Sequence, residues 1–283
     1  MSRKQPMLTA ALLQKYLLHL QEAERKPATV AKYAHDLNDL RTYLNGAPLT
    51  KTALIDWKTQ LVASHAPASV NSMLAAVNGF LLHCGWPELR VRLLKIQRSA
   101  FLAEEKELTR AEYERLVRAA KAQENERLAL VLQTICSTGI RVSELRFITA
   151  EAVKCGRAEI SNKGELRVIF LPRTLRKLLT DYLRRQGKTS GTVFTTRSGK
   201  PLDRSNIWRD MKSLCASAGV DPQKVFPHNL RHLFARMFYT LDHDLSRLAD
   251  ILGHSSINTT RIYTAECGSI HAQQMERLRL VIT

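Results

Sequence analysis

"AEISNKGELRVIFLP", Ala158 to Pro172, is where the pattern of this chain changes. Ile160 precedes an Asn-Lys-Gly turn, and Leu166 to Leu171 is rich in β-branched and apolar residues. This is the signature of a short antiparallel hairpin, which Pro172 closes. Elsewhere the apolar residues recur at spacings of three and four, the period of a helix. One hairpin in a helical chain predicts a mainly α protein with a small antiparallel β-sheet, an α+β fold.

Upstream, "LTAALLQKYLLHLQ" places Leu12, Leu13, Tyr16, Leu17 and Leu20 on one helical face, and Pro27 breaks that helix. "ATVAKYAHDLNDLRTYL" resumes the pattern with Val30, Tyr33, Leu37, Leu40 and Leu44. "SVNSMLAAVNGFLLHCG" reads as another helix, capped by Ser69 and stopped at Gly85. Residues 1–97 therefore read as a small all-helical domain. The next stretch, "LLKIQRSAFLAEEKELT", is charged and weakly periodic, which predicts a linker over 98–107. It ends at Thr109, with Glu112 three residues on, the pattern of a capping box. A second domain, 108–283, then holds "RAEYERLVRAAKA" and "ERLALVLQTICSTG" as helices, the hairpin, and further helices. A short β or loop piece falls at "GTVFTTRSGKPL".

The chain has 283 residues, 45% of them hydrophobic, enough to bury a core in one large domain or two ordinary ones. Its formal net charge is +17. Residues 1–100 carry a surplus of seven positive charges and the remainder a surplus of ten. Both halves can hold phosphates, which suits a clamp on nucleic acid better than a basic tail. The five cysteines form no CxxC pair and no zinc spacing, so they read as reduced, mostly buried thiols and not as metal ligands. No apolar run approaches a membrane span, and no apolar stretch of a secretory signal follows the first residues. The expectation is a cytoplasmic, nucleoid-associated protein with no membrane partner.

Four segments could carry chemistry, and each has a plain alternative. In "STGIRVSEL", Arg141 follows Gly139, which reads as a helix C-cap; alone, Arg141 is a surface arginine. Lys163 sits at the hairpin tip, where a lysine is ordinarily solvated. In "PHNLRHLFA", His228 and Arg231 lie one helical turn apart, a pair common by chance in so basic a chain. "LGHSSINTTRIY" supplies His254 and Tyr263, or else a helix-turn-helix with an aromatic core residue.

Together these residues suit phosphoryl transfer to tyrosine. Two arginines can hold the non-bridging oxygens of a phosphodiester and bind more strongly as charge develops in the transition state. A phenol with a pKa near 10 needs the arginine field to ionise it, or a histidine to take its proton. The leaving sugar oxygen needs a general acid, which a lysine can supply. No metal or cofactor is required for this chemistry.

These segments carry a family resemblance. "TGIRVSEL" resembles the first arginine box of the tyrosine recombinases, the phage integrase family, and "HNLRHLFA" the second. "LADILGHSSINTTRIYT" is very similar to the family's histidine-to-tyrosine stretch. The resemblance implies a helical core-binding domain followed by a catalytic domain. It places Arg141, His228, Arg231 and His254 around the scissile phosphate, with Lys163 as general acid, Tyr263 as nucleophile and Glu144 bracing Arg141. It implies cleavage through a 3′-phosphotyrosyl bond and exchange through a Holliday junction, on double-stranded target sites, by a homotetramer with accessory proteins. The function implied is integration or excision of a mobile element or DNA inversion; the alternatives are an Xer-like resolvase of chromosome or plasmid dimers and a DNA-binding regulator without catalysis. Within the family the chain looks like the simpler two-domain members, without an arm-binding domain. One departure is visible: in "NKGELRVIF" the basic residue after the lysine sits closer than in many relatives. The amphipathic "IHAQQMERLRLVI" resembles the tail that docks on a neighbouring protomer. Lys32, Tyr33 and Asn71, on polar helical faces, are the expected DNA contacts of the first domain.

Overall fold

The computed structural model describes residues 6–96, 107–162, 165–196, 198–254, 256–260 and 276–277. The chain divides into two compact units, Met1–Arg98 and Ser99–Thr283.

The first unit holds four helices, α1 (Ala10–Glu22), α2 (Pro27–Leu44), α3 (Lys51–Ser64) and α4 (Pro67–His83). Thr9 and Thr50 cap α1 and α3, their hydroxyls accepting from the Leu12 and Ala53 amides. α1 ends at Glu22, before Pro27 is reached. Pro27 is the first residue of α2, and Pro67, not Ser69, opens α4. Proline suits a helix start because its fixed φ is already helical and the amide it lacks would be unpaired there. The sequence pattern does not announce α3. Its buried stripe of Leu54, Trp57 and Leu61 is blurred by the exposed Ile55 and Val62. These helices close over a core of Leu37, Leu40, Trp57, Leu74 and Phe80. After α4 the chain runs back across the bundle, held by two asparagines. Asn78 donates to the Val91 carbonyl at 2.8 Å and accepts from its amide at 3.0 Å; Asn71 does the same with Leu94, at 2.9 and 2.7 Å.

The second unit begins with α5 (Arg110–Ala122), and both halves of the Thr109–Glu112 capping box are formed. α6 (Glu126–Thr138) follows. It is buried along most of its length, through Leu128, Leu130, Val131, Leu132 and Ile135, and forms the centre of the core. A 3-10 helix (Val142–Phe147) and α7 (Ala150–Cys155) lead into the hairpin of β1 (Arg157–Asn162) and β2 (Glu165–Phe170). The pairing runs from Arg157↔Phe170 to Asn162↔Glu165, so two residues, Lys163 and Gly164, join the strands; both lie outside the described residues. Ile160 and Ile169 face the core, while Leu166, Val168 and Phe170 form an exposed outer row. Then come α8 (Arg173–Arg185), α9 (Arg204–Ser213), α10 (Cys215–Ala218), α11 (Pro227–Asp242), α12 (Leu245–Leu252) and α13 (Ile257–Thr260). The segment 191–202 forms two isolated bridges, Thr149↔Thr192 and Thr195↔Pro201.

The thiols depart from expectation. Of the four described, Cys215 is buried, Cys84 and Cys136 are half-buried and Cys155 is exposed; Cys267 lies outside the described residues. Among the described residues no helix is long and apolar enough to cross a membrane.

Asn71 thus has a structural task in tying Leu94 to α4. Asn71→Ala leaves the Leu94 amide and carbonyl without their partner and should lower stability by about 1–3 kcal/mol, read from urea unfolding.

Candidate active site

Two helix ends build the site. α6 stops at Gly139 and α12 stops at Gly253, both in the left-handed conformation, at φ 67° and 64°. No side chain fits at either place: a Cβ on Gly139 would overlap the Phe234 ring, and one on Gly253 would overlap the Arg167 guanidinium. The last carbonyls of a helix carry the negative end of its dipole and lack helical partners, so they favour cations.

Arginines take those carbonyls. Arg231, from the start of α11, is only 1% exposed. Its Nη1 donates to the Gly139 carbonyl at 2.6 Å, and its Nη2 to the Leu252 carbonyl at 2.7 Å. Nη2 also lies 2.9 Å from Nε2 of His254. Arg141 caps the 3-10 helix. Its Nη1 donates to Oε1 of Glu144 at 3.1 Å, and its Nη2 reaches the Gly253 carbonyl at 3.3 Å. The buried Glu144 also accepts from the Arg141 backbone amide at 2.7 Å. Arg141 itself keeps 35% of its side chain exposed.

The tautomer of His254 follows from its neighbours. An arginine only donates, so Nε2 must offer its lone pair and the ring proton sits on Nδ1. Nδ1 then donates to Oγ1 of the buried Thr260 on α13, 2.8 Å away. Burial pushes the His254 pKa down to about 4, with Arg231 and Arg141 adding to the shift. His228 stands exposed at the start of α11, and its pKa is lowered first by lost hydration and then by Arg231, Arg141 and Arg204. His232 packs edge-on against His228, ring centroids 4.5 Å apart, and burial brings it to about 4. Burial and the surrounding cations therefore favour the neutral form of these imidazoles.

Arg141, His228 and Arg231 open onto one cleft of about 510 Å³. Its other wall is α9, where Arg204, Trp208 and Lys212 stand at successive four-residue intervals. The Lys212 ammonium lies 5.2 Å from the Trp208 ring centre. Sequence reading passed over this stripe, although its i, i+4, i+8 spacing was there to find. Arg167, in the sequence only a basic residue close to the hairpin lysine, pairs with Glu144 at 2.6 Å. Arg141, Glu144, His228, Arg231 and His254 come together; Lys163 and Tyr263 lie outside the described residues. In the first unit Lys32 pairs with Asp36, and Tyr33 packs against the core.

A helical unit with one hairpin gathers arginines and histidines around a cleft at two helix ends, an arrangement suited to an anion such as a phosphate ester. The chain belongs to the phage integrase family, whose model matches residues 106–267. It is 31% identical over 268 residues to tyrosine recombinase XerD of Xanthomonas campestris pv. campestris, covering 83% of this chain and 81% of that protein. It is 26% identical over 286 residues to tyrosine recombinase XerA of Pyrococcus furiosus, covering 98% and 97%. Its fold resembles the XerH site-specific recombinase solved in a pre-cleavage complex with difH substrate (TM-score 0.70, 20% identity, 94% of this chain and 84% of that one). It also resembles a lambda integrase tetramer bound to a Holliday junction (TM-score 0.75, 18% identity, 93% and 78%).

The lowered histidines set a pH dependence. The unfolded chain binds protons near pH 6.5, while folded His254 and His232 resist them down to about pH 4. Between those values the unfolded state holds more protons, so stability falls as pH falls. The melting temperature of the free protein should drop on going from pH 7 to pH 4.5, and His254→Asn should flatten that slope.

Proposed function

We propose that this chain is a site-specific DNA recombinase that cuts and rejoins strands through a 3′-phosphotyrosyl intermediate. The observation that carries the reading is Arg231, fixed by the carbonyls of two helix ends beside His254 and opening with Arg141 and His228 onto one cleft. Such an arrangement is preorganised for the two non-bridging oxygens of a phosphodiester.

In the step itself the Tyr263 phenol oxygen attacks phosphorus, forming the P–O bond as the bond to the 5′ oxygen breaks. The phenolic proton passes to neutral His228, which stands exposed in the cleft. Lys163, at the hairpin turn, gives a proton to the departing 5′ oxygen. Arg141 and Arg231 stabilise the charge that builds on the non-bridging oxygens. Ligation runs the same steps backwards when a 5′ hydroxyl attacks the phosphotyrosine, so bond energy is conserved. Residues 1–97 act as the core-binding domain, with Lys32 and Tyr33 toward DNA, and residues 108–283 as the catalytic domain. The enzyme works in the cytoplasm as a homotetramer on two double-stranded sites, with accessory proteins setting direction.

Its biological task is integration or excision of a mobile element, or DNA inversion. A second reading, an Xer-like resolvase of chromosome or plasmid dimers, is supported by the names of the curated relatives, XerD and XerA among them.

Nicked suicide DNA tests the chemistry. Wild type should give a protein–DNA adduct on a denaturing gel, in EDTA and without ATP, and Tyr263→Phe should give none. Adduct from the Phe variant would refute the assignment of the nucleophile. Arg231→Lys, which keeps the charge but loses the fork, should slow adduct formation by at least about 100-fold. Binding should weaken steeply with salt, each neutralised phosphate contributing about −0.9 to the log–log slope; a slope near zero would exclude a clamp.

A further inference from the structure

Arg167 has no part in the chemistry described so far, yet its side chain occupies an unusual place. On β2 it follows the inward-facing row that continues with Ile169 and Leu171, both buried. A guanidinium there gives up hydration, and burial lowers its pKa. Its Nε is buried with no hydrogen-bond partner among the described residues. Its Nη2 donates to Oε2 of Glu144 at 2.6 Å, and its Nη1 donates to the Leu252 carbonyl. The chain makes room for it with Gly253, where a Cβ would collide with the guanidinium.

Three parts of the site meet at this one side chain. Glu144 is the carboxylate that orients Arg141. The Leu252 carbonyl is shared with Arg231. Gly253 opens the turn that carries His254 and accepts from Arg141. The charges matter as much as the contacts. Arg141 and Glu144 alone sum to zero and would present no net attraction to a phosphate. With Arg167 the trio carries one net positive charge. Glu144 is 2% exposed, so water does little to screen this difference.

We propose that Arg167 is a positioning residue for strand cleavage. By sharing Glu144 it keeps that carboxylate from closing on Arg141 alone, which leaves the outer edge of Arg141 for the scissile phosphate. Through Leu252 it also fixes the turn bearing His254 against Arg231. The inference rests on the role given above to Arg141 and deepens it.

The test is single-turnover cleavage of the suicide substrate at saturating protein, with DNA affinity measured separately by fluorescence anisotropy. Arg167→Met should slow cleavage by about 100-fold, the size of loss seen when one preorganised donor is removed, with affinity changed only a fewfold. Arg167→Met combined with Glu144→Gln restores the net positive charge and leaves no lone buried charge, so it should cleave at least about tenfold faster than Arg167→Met. Arg167→Lys should fall between wild type and Arg167→Met. A merely structural arginine predicts otherwise: the two losses would add, and each would follow the melting temperature. Additive losses, or an Arg167→Met enzyme as fast as wild type, would overturn the proposal. Should Arg167→Met fail to fold, the double variant measured against Glu144→Gln alone gives the same comparison. Then a double variant slower than Glu144→Gln by the full Arg167→Lys deficit counts against the idea. An Arg141→Ala arm separates the two levels of argument. If that variant cleaves normally, or wild type yields no adduct, it is the parent reading that fails.

Discussion

A guanidinium buried almost completely, and held by main-chain carbonyls, is the constraint on which this site depends. Taking a charge out of water is costly unless hydrogen bonds replace its hydration. Arg231 meets that condition with the ends of two helices far apart in sequence, α6 and α12. The core of the second unit must therefore bring those ends together, and α6 can reach its place only by running through the middle of that core. Folding and site assembly are in this sense one event. A change that separates the two helix ends leaves Arg231 charged and unsolvated, so it will be felt as lost stability as well as lost chemistry.

The same crowding of cations sets the state of the histidines. Neutral imidazoles can accept a proton or a hydrogen bond, which imidazolium ions cannot. His254 uses this ability at once, accepting from Arg231 and passing its own proton toward Thr260. That link joins α13 to the arginine cluster, and α13 ends three residues before Tyr263.

Local signals were legible in the sequence and distant ones were not. The hairpin, the Thr109–Glu112 capping box and the Gly139 helix stop each depend on residues within a few positions of one another. At α4 two local signals competed, and Pro67 prevailed over Ser69 because a proline at the first helical position has no amide to leave unpaired. α3 was missed because apolar side chains on its solvent face hid its buried stripe. The grouping of Arg141, His228, Arg231 and His254 came from resemblance to a family; spacing alone could not have joined Arg231 to a carbonyl 92 residues away. Arg167 was visible only as a basic residue oddly close to the hairpin turn. Its meaning lies in Glu144, 23 residues back, and Leu252, 85 residues on.

Gly139 and Gly253 also bear on how this protein would look to genetics. Neither has an atom that can touch a phosphate, yet each stands where a methyl group has no room and the backbone turns left-handed. A screen of random substitutions would therefore score both as intolerant, beside the reacting side chains. Mutational sensitivity here marks the scaffold and the reagents alike, and a revertant of either glycine would be sought among its neighbours, Phe234 or Arg167, not among residues that meet DNA.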